Sequence, residues 1–162
     1  MNQRKMIFLD RDGILNTERG TYTFDLAHFS MVEGIGSALK SLKDKGYGFA
    51  VVTNQGGITK GIYAREEMHQ INQAIARHLS DFSIDIEEFY YCPHHTDFGR
   101  CLCRKPDSLL LEKAIARSHA AVDRSWFIGD KERDMEAGRK AGLQTFLLPS
   151  NESLIPHLHL FL

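Results

Sequence analysis

The chain has 162 residues, with 20 basic and 21 acidic side chains and a formal net charge of -1. Hydrophobic residues make up 43% and charged residues 25%, which is typical of a globular protein and excludes an intrinsically disordered chain. The balanced charge gives no overall attraction to nucleic acid or to an anionic membrane, so we expect neither as a partner. The length predicts a single domain over residues 1–162.

The elements alternate between strands and helices along the chain. Short apolar runs rich in β-branched and aromatic side chains predict strands, and apolar residues at helical spacing predict helices between them. In order, these are strand 6–9, a helix through Ile35 and Leu42 that stops at Gly46, strand 49–53, a helix from Met68 to Leu79, strand 88–91, a helix after Pro106 with Asp107 and Ser108 as N-terminal caps, strand 126–128, a helix over 132–141 that ends at Gly142, and strand 145–148.

This order predicts an α/β fold, with a three-layer, doubly wound, mostly parallel sheet covered by helices on both faces. The segment 54–88 holds one amphipathic helix, so no large cap domain is expected. The first apolar stretch ends at Asp10 and is too short for a signal peptide, which favours a cytoplasmic protein. Residues 151–162 leave three alternatives open: an edge strand, a docked tail or a frayed end.

Acidic side chains follow the first and the fourth predicted strands. Asp10 and Asp12 are two residues apart after the first strand and so face one site, while Asp130 and Asp134 follow the fourth strand. The carboxyl ends of parallel strands meet at one edge of a sheet. Carboxylates about 4 Å apart repel by about 4 kcal/mol at an effective dielectric of 20. The group therefore predicts a hard divalent cation, Mg²⁺, although a helix cap or an Asx turn would account for any one aspartate alone.

All three cysteines lie within residues 92–103, together with two histidines. Soft sulfur and nitrogen donors at this spacing are typical of tetrahedral Zn²⁺ in a closed, structural site. Cys92, Cys101 and Cys103 are the candidate thiolates, and His94 and His95 remain alternatives for the fourth ligand. Reduced thiols without a metal, or a redox pair, are the other interpretations.

Four motifs occur in order along nearly the whole chain. They are F-L-D-R-D-G at 8–13, V-T-N-Q at 52–55, C-R-K-P at 103–106, and I-G-D-K at 128–131 followed by Asp134. Together they resemble the four motifs of haloacid dehalogenase-type phosphatases. The C-x-H and C-x-C pairs at 92–94 and 101–103 are similar to those of a zinc-bearing branch of that family.

The resemblance implies a role for each matching residue. Asp10 is expected to be the nucleophile that forms an aspartyl-phosphate, and Asp12 the general acid and base. Thr53 is expected to hold phosphoryl oxygens, and Lys105 to stabilise the transition state. Mg²⁺ is expected on the side chains of Asp10 and Asp130 and on the backbone carbonyl of Asp12.

The zinc-bearing branch also implies a ligand set and a substrate class. The implied Zn²⁺ ligands are Cys92, His94, Cys101 and Cys103. The expected substrate contacts are Arg11, Glu18, Asn54, Gln55, Arg104 and Lys131, with the loop 16–22 shaping an open site.

The branch acts on small phosphorylated substrates, either heptose 1,7-bisphosphate or histidinol phosphate. Segments 54–61 and 90–95 favour the heptose substrate of lipopolysaccharide precursor synthesis, whereas the short loop between His94 and Cys101 is nearer the histidinol type. We expect a monomer.

Two other classes of protein share part of this pattern. A phosphoacceptor signalling domain also places aspartates, a threonine and a lysine around Mg²⁺ on a doubly wound sheet, but it has neither a D-x-D-G motif nor a zinc loop. A zinc-dependent interaction module would use the cysteine cluster and leave the aspartates without a role.

Overall fold

The computed structural model describes residues 2–161, which form a five-stranded, all-parallel sheet flanked by helices. The strands are β1 Lys5–Leu9, β2 Tyr47–Asn54, β3 Ile86–Cys92, β4 Trp126–Gly129 and β5 Gln144–Leu147. The α-helices are α1 Ile35–Asp44, α2 Arg65–Ser80, α3 Leu109–Ser118 and α4 Glu132–Lys140. Short 3₁₀ helices occur at Leu26–His28, Thr96–Phe98, Val122–Arg124 and Ile155–Phe161. The predicted α/β fold and each predicted element are confirmed.

The strand order, β3-β2-β1-β4-β5, fixes where a ligand can bind. The chain builds the sheet outward from β1 through β2 and β3, and then returns to the other side of β1 for β4 and β5. In such sheets the crevice lies beyond the carboxyl ends of the strands at the point where the order reverses. Here that point lies between β1 and β4, which are paired from Ile7 to Leu9.

Both faces of the sheet are buried, which explains why its strands are apolar along their whole length. Alternate residues of β1 point to opposite sides: Ile7 and Leu9 join one core cluster, and Met6 and Phe8 join the other. The first cluster includes the apolar residues of α1 and α2, and the second includes those of α3 and α4. Two helices therefore cover each face and hold the strand ends rigidly at the crevice.

The C-terminal segment Ile155–Phe161 is a docked tail, which selects one of the three alternatives left open by the sequence. Phe161 is 1% exposed, and its ring lies 4.8 Å from that of Trp126 and 5.7 Å from that of Phe146. The hydroxyl of Tyr47 donates a hydrogen bond to the carbonyl of Phe161 at 3.0 Å. Residue 162, also part of the predicted tail, lies outside the described residues.

One local prediction is wrong. Ser108 occupies the N-cap position of α3, but its side chain makes no capping hydrogen bond. By contrast, α1 and α4 stop as predicted, because Gly46 and Gly142 adopt positive φ angles of 91° and 81° just after each helix. Within residues 2–161, no helix is both long enough and apolar enough to cross a membrane.

Candidate active site and zinc site

A cavity of about 450 Å³ opens at the carboxyl ends of β1, β2 and β4. Its lining consists of Asp10, Asp12, Glu18, Gly20, Thr21, Tyr22, Thr23, Asn54, Gln55, Asp130, Lys131 and Arg133. The lining includes predicted site residues from three different parts of the chain, because the parallel strands end at one edge. The cavity is therefore the candidate active site.

Three aspartates lie together at this cavity: Asp10 and Asp130 line it, and Asp134 is fully buried beside them. One carboxylate oxygen each from Asp10, Asp130 and Asp134 falls within 4.8 Å of the others. Asp130 Oδ1 is buried and has no hydrogen-bond partner among the described residues. Asp134 Oδ1 is also buried without a hydrogen bond within residues 2–161, although it forms an ion pair with Lys105. Three carboxylates that offer hard oxygen donors fit a Mg²⁺ ion. Asp134 was predicted to lie nearby but was not among the expected ligands, and the side chain of Asp12 is not part of the group.

Lys105 inserts its ammonium group between two of these carboxylates. Its side chain is 1% exposed, and Nζ lies 3.0 Å from Asp10 Oδ1 and 2.7 Å from Asp134 Oδ1. Nζ also donates to the carbonyl of Val52 at 2.9 Å. The backbone of Lys105 is fixed by Asn54, whose amide donates to the Lys105 carbonyl at 3.1 Å and accepts from the Lys105 N–H at 3.0 Å. The predicted residues Lys105 and Asn54 thus act as one unit.

Burial and charge determine the protonation of this group. Burial raises the pKa of Asp10 well above its ordinary value, the charge of Asp134 raises it further, and Lys105 opposes both effects. Burial alone would lower the pKa of Lys105, but the charges of Asp10 and Asp134 outweigh it and raise that pKa. A buried carboxylate in this position needs additional positive charge to stay ionised, which is a second reason to expect a cation here.

The side chain of Asp12 is held by three donors. Arg11 Nη2 lies 3.1 Å from Asp12 Oδ1, and Asn16 Nδ2 donates to the same oxygen at 2.9 Å. Gln55 Nε2 donates to Asp12 Oδ2 at 3.0 Å and also to the hydroxyl oxygen of Thr53 at 2.9 Å. Gln55 therefore links the predicted general acid to the predicted phosphoryl-binding threonine. Asn16 begins the loop 16–22 that was expected to shape the site, but no contact was predicted for its side chain.

Arg11 was predicted to contact substrate, but it lies in the protein interior. Its guanidinium group bonds to Asn72 Oδ1 at 3.2 Å and to the Thr23 carbonyl at 3.3 Å, in addition to Asp12. The side chain is 1% exposed and does not line the cavity. Since residues of an extended segment alternate in direction, Arg11 points away from the site that Asp10 and Asp12 face. Its guanidinium group therefore holds the Asp12 carboxylate from the interior of the protein.

Charged side chains occupy the rim of the cavity. Lys131 lies on the rim, and its Nζ is 3.3 Å from Asp130 Oδ2. Glu18 also lies there, with its carboxylate accepting from the Gly20 N–H at 2.7 Å. Arg133, in the first turn of α4, lines the cavity as well and was not predicted. Arg104 does not line it, because its guanidinium donates to the His94 carbonyl at 3.1 Å.

The cysteine cluster forms a second site beside the first. In a tetrahedral Zn²⁺ site two thiolate sulfurs lie about 3.8 Å apart, and a sulfur and a nitrogen about 3.5 Å apart. Cys92 and Cys101 are 3.6 Å apart, Cys101 and Cys103 are 3.8 Å apart, and His94 Nδ1 is 3.4 Å from Cys92 and 3.3 Å from Cys103. These distances lie within about 0.2 Å of the tetrahedral values, whereas the Cys92–Cys103 distance of 2.8 Å is about 1 Å shorter. The donors fit Zn²⁺, whereas His95 caps the 3₁₀ helix Thr96–Phe98 through the Asp97 N–H.

Comparison with known proteins identifies the family. Residues 102–158 match the model of the HAD-hydrolase-like family. A D-glycero-beta-D-manno-heptose-1,7-bisphosphate 7-phosphatase of Pasteurella multocida is 38% identical over 151 residues, covering 90% of this chain and 81% of the relative. The chain belongs to the haloacid dehalogenase-like hydrolase family. The family predicted from the four motifs is thereby confirmed.

Two further members of this haloacid dehalogenase-like family resemble the chain, one in sequence and one in structure. A Helicobacter pylori protein with the same name as the Pasteurella relative is 36% identical over 159 residues, covering 97% of this chain and 91% of the relative. The crystal structure of D,D-heptose 1,7-bisphosphate phosphatase from B. bronchiseptica superposes with a TM-score of 0.82 at 26% identity, covering 88% of this chain and 79% of that one. That crystal structure is a complex with magnesium and phosphate.

Proposed function

We propose that this chain is a phosphatase that removes the 7-phosphate from D-glycero-β-D-manno-heptose 1,7-bisphosphate. The names of its relatives support this substrate. The observation that carries the proposal is the position of Asp10, whose carboxylate lies at the bottom of an open cavity, against the buried Lys105 and two further aspartates. A nucleophile for phosphoryl transfer requires this combination of access and fixed charge.

In the proposed first step, an Asp10 carboxylate oxygen attacks phosphorus and the bond from phosphorus to the C7 oxygen breaks. Asp12 donates its proton to that oxygen, so the heptose leaves as an alcohol and an aspartyl-phosphate remains on Asp10. Thr53 and Lys105 stabilise the negative charge of the phosphoryl oxygens. When bound to Asp10, Asp130 and the backbone carbonyl of Asp12, with Asp134 as a further candidate ligand, Mg²⁺ supplies positive charge to the same oxygens.

In the second step Asp12, now a carboxylate, removes a proton from water. The resulting oxygen attacks phosphorus, the bond to Asp10 breaks, and phosphate leaves. The three donors on the Asp12 side chain keep it directed at the cavity through both steps. These separate roles suit the geometry, because Asp10 contacts the Lys105 ammonium group, whereas Asp12 accepts from amide and guanidinium donors.

The cavity suits a substrate that carries two phosphates. Its volume of about 450 Å³ falls in the usual range of small-molecule sites, about 300–1,000 Å³. We assign the reacting phosphate to the bottom of the cavity, beside Asp10. We assign the second phosphate to the rim of the cavity, where Lys131 and Arg133 supply positive charge. Asn54 and Glu18 face the sugar between them. Gln55 also lines the cavity, but its amide nitrogen is bonded to Asp12 and Thr53 and its amide oxygen to Tyr63, so we do not assign it a sugar contact. Arg104 would join this set only by releasing the His94 carbonyl.

We also propose that Cys92, His94, Cys101 and Cys103 hold one structural Zn²⁺ ion per chain. Structural zinc contributes an apparent free energy of about 10–16 kcal/mol in small peptides, which is sufficient to order a loop with few apolar contacts. The last ligand, Cys103, is two residues before Lys105. The ion would thereby fix the segment that delivers Lys105 to Asp10.

We propose a single-domain monomer over residues 1–162 that acts in the cytoplasm and binds neither nucleic acid nor membranes. Reduced cysteines that hold a metal suit a reducing compartment. The net charge of -1 gives no long-range attraction to polyanions.

The direct test compares phosphate release from heptose 1,7-bisphosphate and from histidinol phosphate, each with added Mg²⁺. We expect kcat/KM for the heptose substrate to be higher, and the product to be the 1-phosphate. Asp10→Asn serves as the control, because it retains the shape of the side chain and loses the nucleophile. A higher efficiency on histidinol phosphate, or wild-type rates in Asp10→Asn, would refute the proposal.

A further inference from the structure

Tyr63 lies outside the four motifs, yet its hydroxyl reaches the active site. It follows β2 in the loop that leads to α2, and its side chain is buried, with the residue 5% exposed. Its hydroxyl lies 2.5 Å from Gln55 Oε1. The amide nitrogen of the same Gln55 donates to Asp12 and to Thr53. A line of hydrogen bonds thus runs from Tyr63 through one amide to two residues of the proposed mechanism.

The donor and acceptor atoms of the Gln55 amide determine which group donates and which accepts in each of these hydrogen bonds. An amide carries donors on one end and an acceptor on the other, and a carboxyl oxygen keeps a lone pair that accepts a hydrogen bond whether the group is ionised or protonated. Asp12 therefore requires the nitrogen of Gln55, and Gln55 Oε1 must then face a donor on its other side. Burial raises the pKa of Tyr63 above its ordinary value, so the hydroxyl keeps its proton and remains a donor. If the side-chain amide of Gln55 flipped, so that its nitrogen and oxygen exchanged places, two acceptor oxygens would face each other and the hydrogen bond to Asp12 would be lost.

The ring of Tyr63 is held independently of its hydroxyl. It stacks on Phe24, with ring centres 5.5 Å apart and planes 11° apart, and it lies 5.8 Å from the ring of Tyr22. A Cβ atom at Gly57 would approach within 2.2 Å of the ring, so the ring packs directly on the backbone there. Removing the hydroxyl should leave the ring in place and release only the amide of Gln55.

We propose that Tyr63 is a positioning residue for Asp12, acting through the amide of Gln55. The proposal rests on the proposed function, since it concerns the residue that protonates the leaving group there. Without the Tyr63 hydroxyl, Gln55 can rotate and no longer fixes Asp12 at one angle. Proton delivery to the leaving oxygen then becomes slower, while substrate binding at the rim is unaffected.

This role predicts a dependence on the leaving group. The C7 alkoxide of a heptose must be protonated as it leaves, whereas nitrophenolate leaves well without a proton. Tyr63→Phe should therefore lower kcat/KM for heptose 1,7-bisphosphate by about tenfold, part of the total effect of a general acid. For nitrophenyl phosphate the loss should be less than about twofold, and KM for the heptose substrate should stay within about twofold.

The experiment measures both substrates for the wild type, Tyr63→Phe, Gln55→Leu, the double variant and Tyr47→Phe. Tyr47→Phe is the matched control, because it removes another buried tyrosine hydroxyl, one that donates to the Phe161 carbonyl far from the cavity. Gln55→Leu also frees Thr53, so it should slow both substrates, but the loss should still be larger for the heptose substrate. The double variant should be no slower than Gln55→Leu alone.

Equal losses on both substrates, additive losses in the double variant, or rates in Tyr63→Phe that match those of Tyr47→Phe would overturn the role of Tyr63. A wild-type protein that releases phosphate from neither substrate would overturn the proposed function and this inference together. An active wild type with an unaffected Tyr63→Phe overturns the inference alone.

Discussion

Replacement of Lys105 with methionine would leave two buried carboxylates without the cation that lies between them. One oxygen of Asp10 lies within 4.8 Å of one oxygen of Asp134. At that separation two unit charges repel by about 3.5 kcal/mol at an effective dielectric of 20. This agrees with the cost of about 3–5 kcal/mol that typically follows removal of one partner from a buried ion pair. We expect Lys105→Met to lose about that much free energy of unfolding at neutral pH.

The loss should depend on pH in a defined direction. Lys105 lowers the pKa of Asp10, which burial and the charge of Asp134 raise, so that pKa rises further in the variant. A carboxyl group whose pKa is higher in the folded than in the unfolded protein destabilises the fold above its folded pKa. It has no such effect below its unfolded pKa. The deficit of Lys105→Met should therefore shrink as the pH falls from about 7 to about 5.

Urea unfolding at both pH values, followed by circular dichroism, measures this effect. Lys113→Met, on the exposed side of α3, is the matched control and should change stability by less than about 0.5 kcal/mol. Adding Asp134→Asn to Lys105→Met should recover part of the lost stability, because it removes one of the two charges. Turnover should fall by about 10²–10³-fold. A variant as stable as Lys113→Met at neutral pH, or a deficit that grows on acidification, would refute the electrostatic reasoning.

Three shorter predictions concern the nucleophile, the zinc site and the tail. Asp10→Asn should lose at least about 10³-fold in kcat yet unfold no earlier than the wild type in a thermal melt, because a neutral amide avoids the cost of a buried charge. His94→Ala should purify with less than one Zn²⁺ per chain by elemental analysis, whereas the control His95→Ala should retain its zinc. Phe161→Ala should lose about 3 kcal/mol in urea unfolding, since it removes a fully buried ring. An unchanged unfolding midpoint would mean that the tail contributes little.

The meeting of the acidic side chains at one place could be predicted from the sequence, because the geometry of a parallel sheet determines it. Neighbouring parallel strands end at the same edge of the sheet, so Asp10 after β1 and Asp130 after β4 lie close together regardless of the conformation of the loops. Burial on both faces of the sheet likewise made β1 and β4 recognisable as apolar runs. The relative order of motifs was enough to identify the family.

The surroundings of Asp12 could not be predicted in the same way. Asn72 on α2 bonds to Arg11, and Tyr63 in the loop before α2 bonds to Gln55. No periodicity or motif in the sequence indicates such hydrogen bonds between side chains. Arg11 was predicted to contact the substrate, although the alternation of side chains along an extended segment turns it towards the interior. Arg133 could have been found, since it lies one turn after Asp130 on the helix that begins at the cavity.

Two glycines limit how this active site can vary. A Cβ atom at Gly13, where φ is 91°, would lie 2.4 Å from Asp130 Oδ2, and one at Gly129 would lie 2.4 Å from Asp134 Cβ. Any other residue at either position would push an acidic side chain out of place. Substitutions meant to change the substrate should therefore be made in the surrounding loops, such as the loop that contains Glu18, while residues 13 and 129 remain glycine.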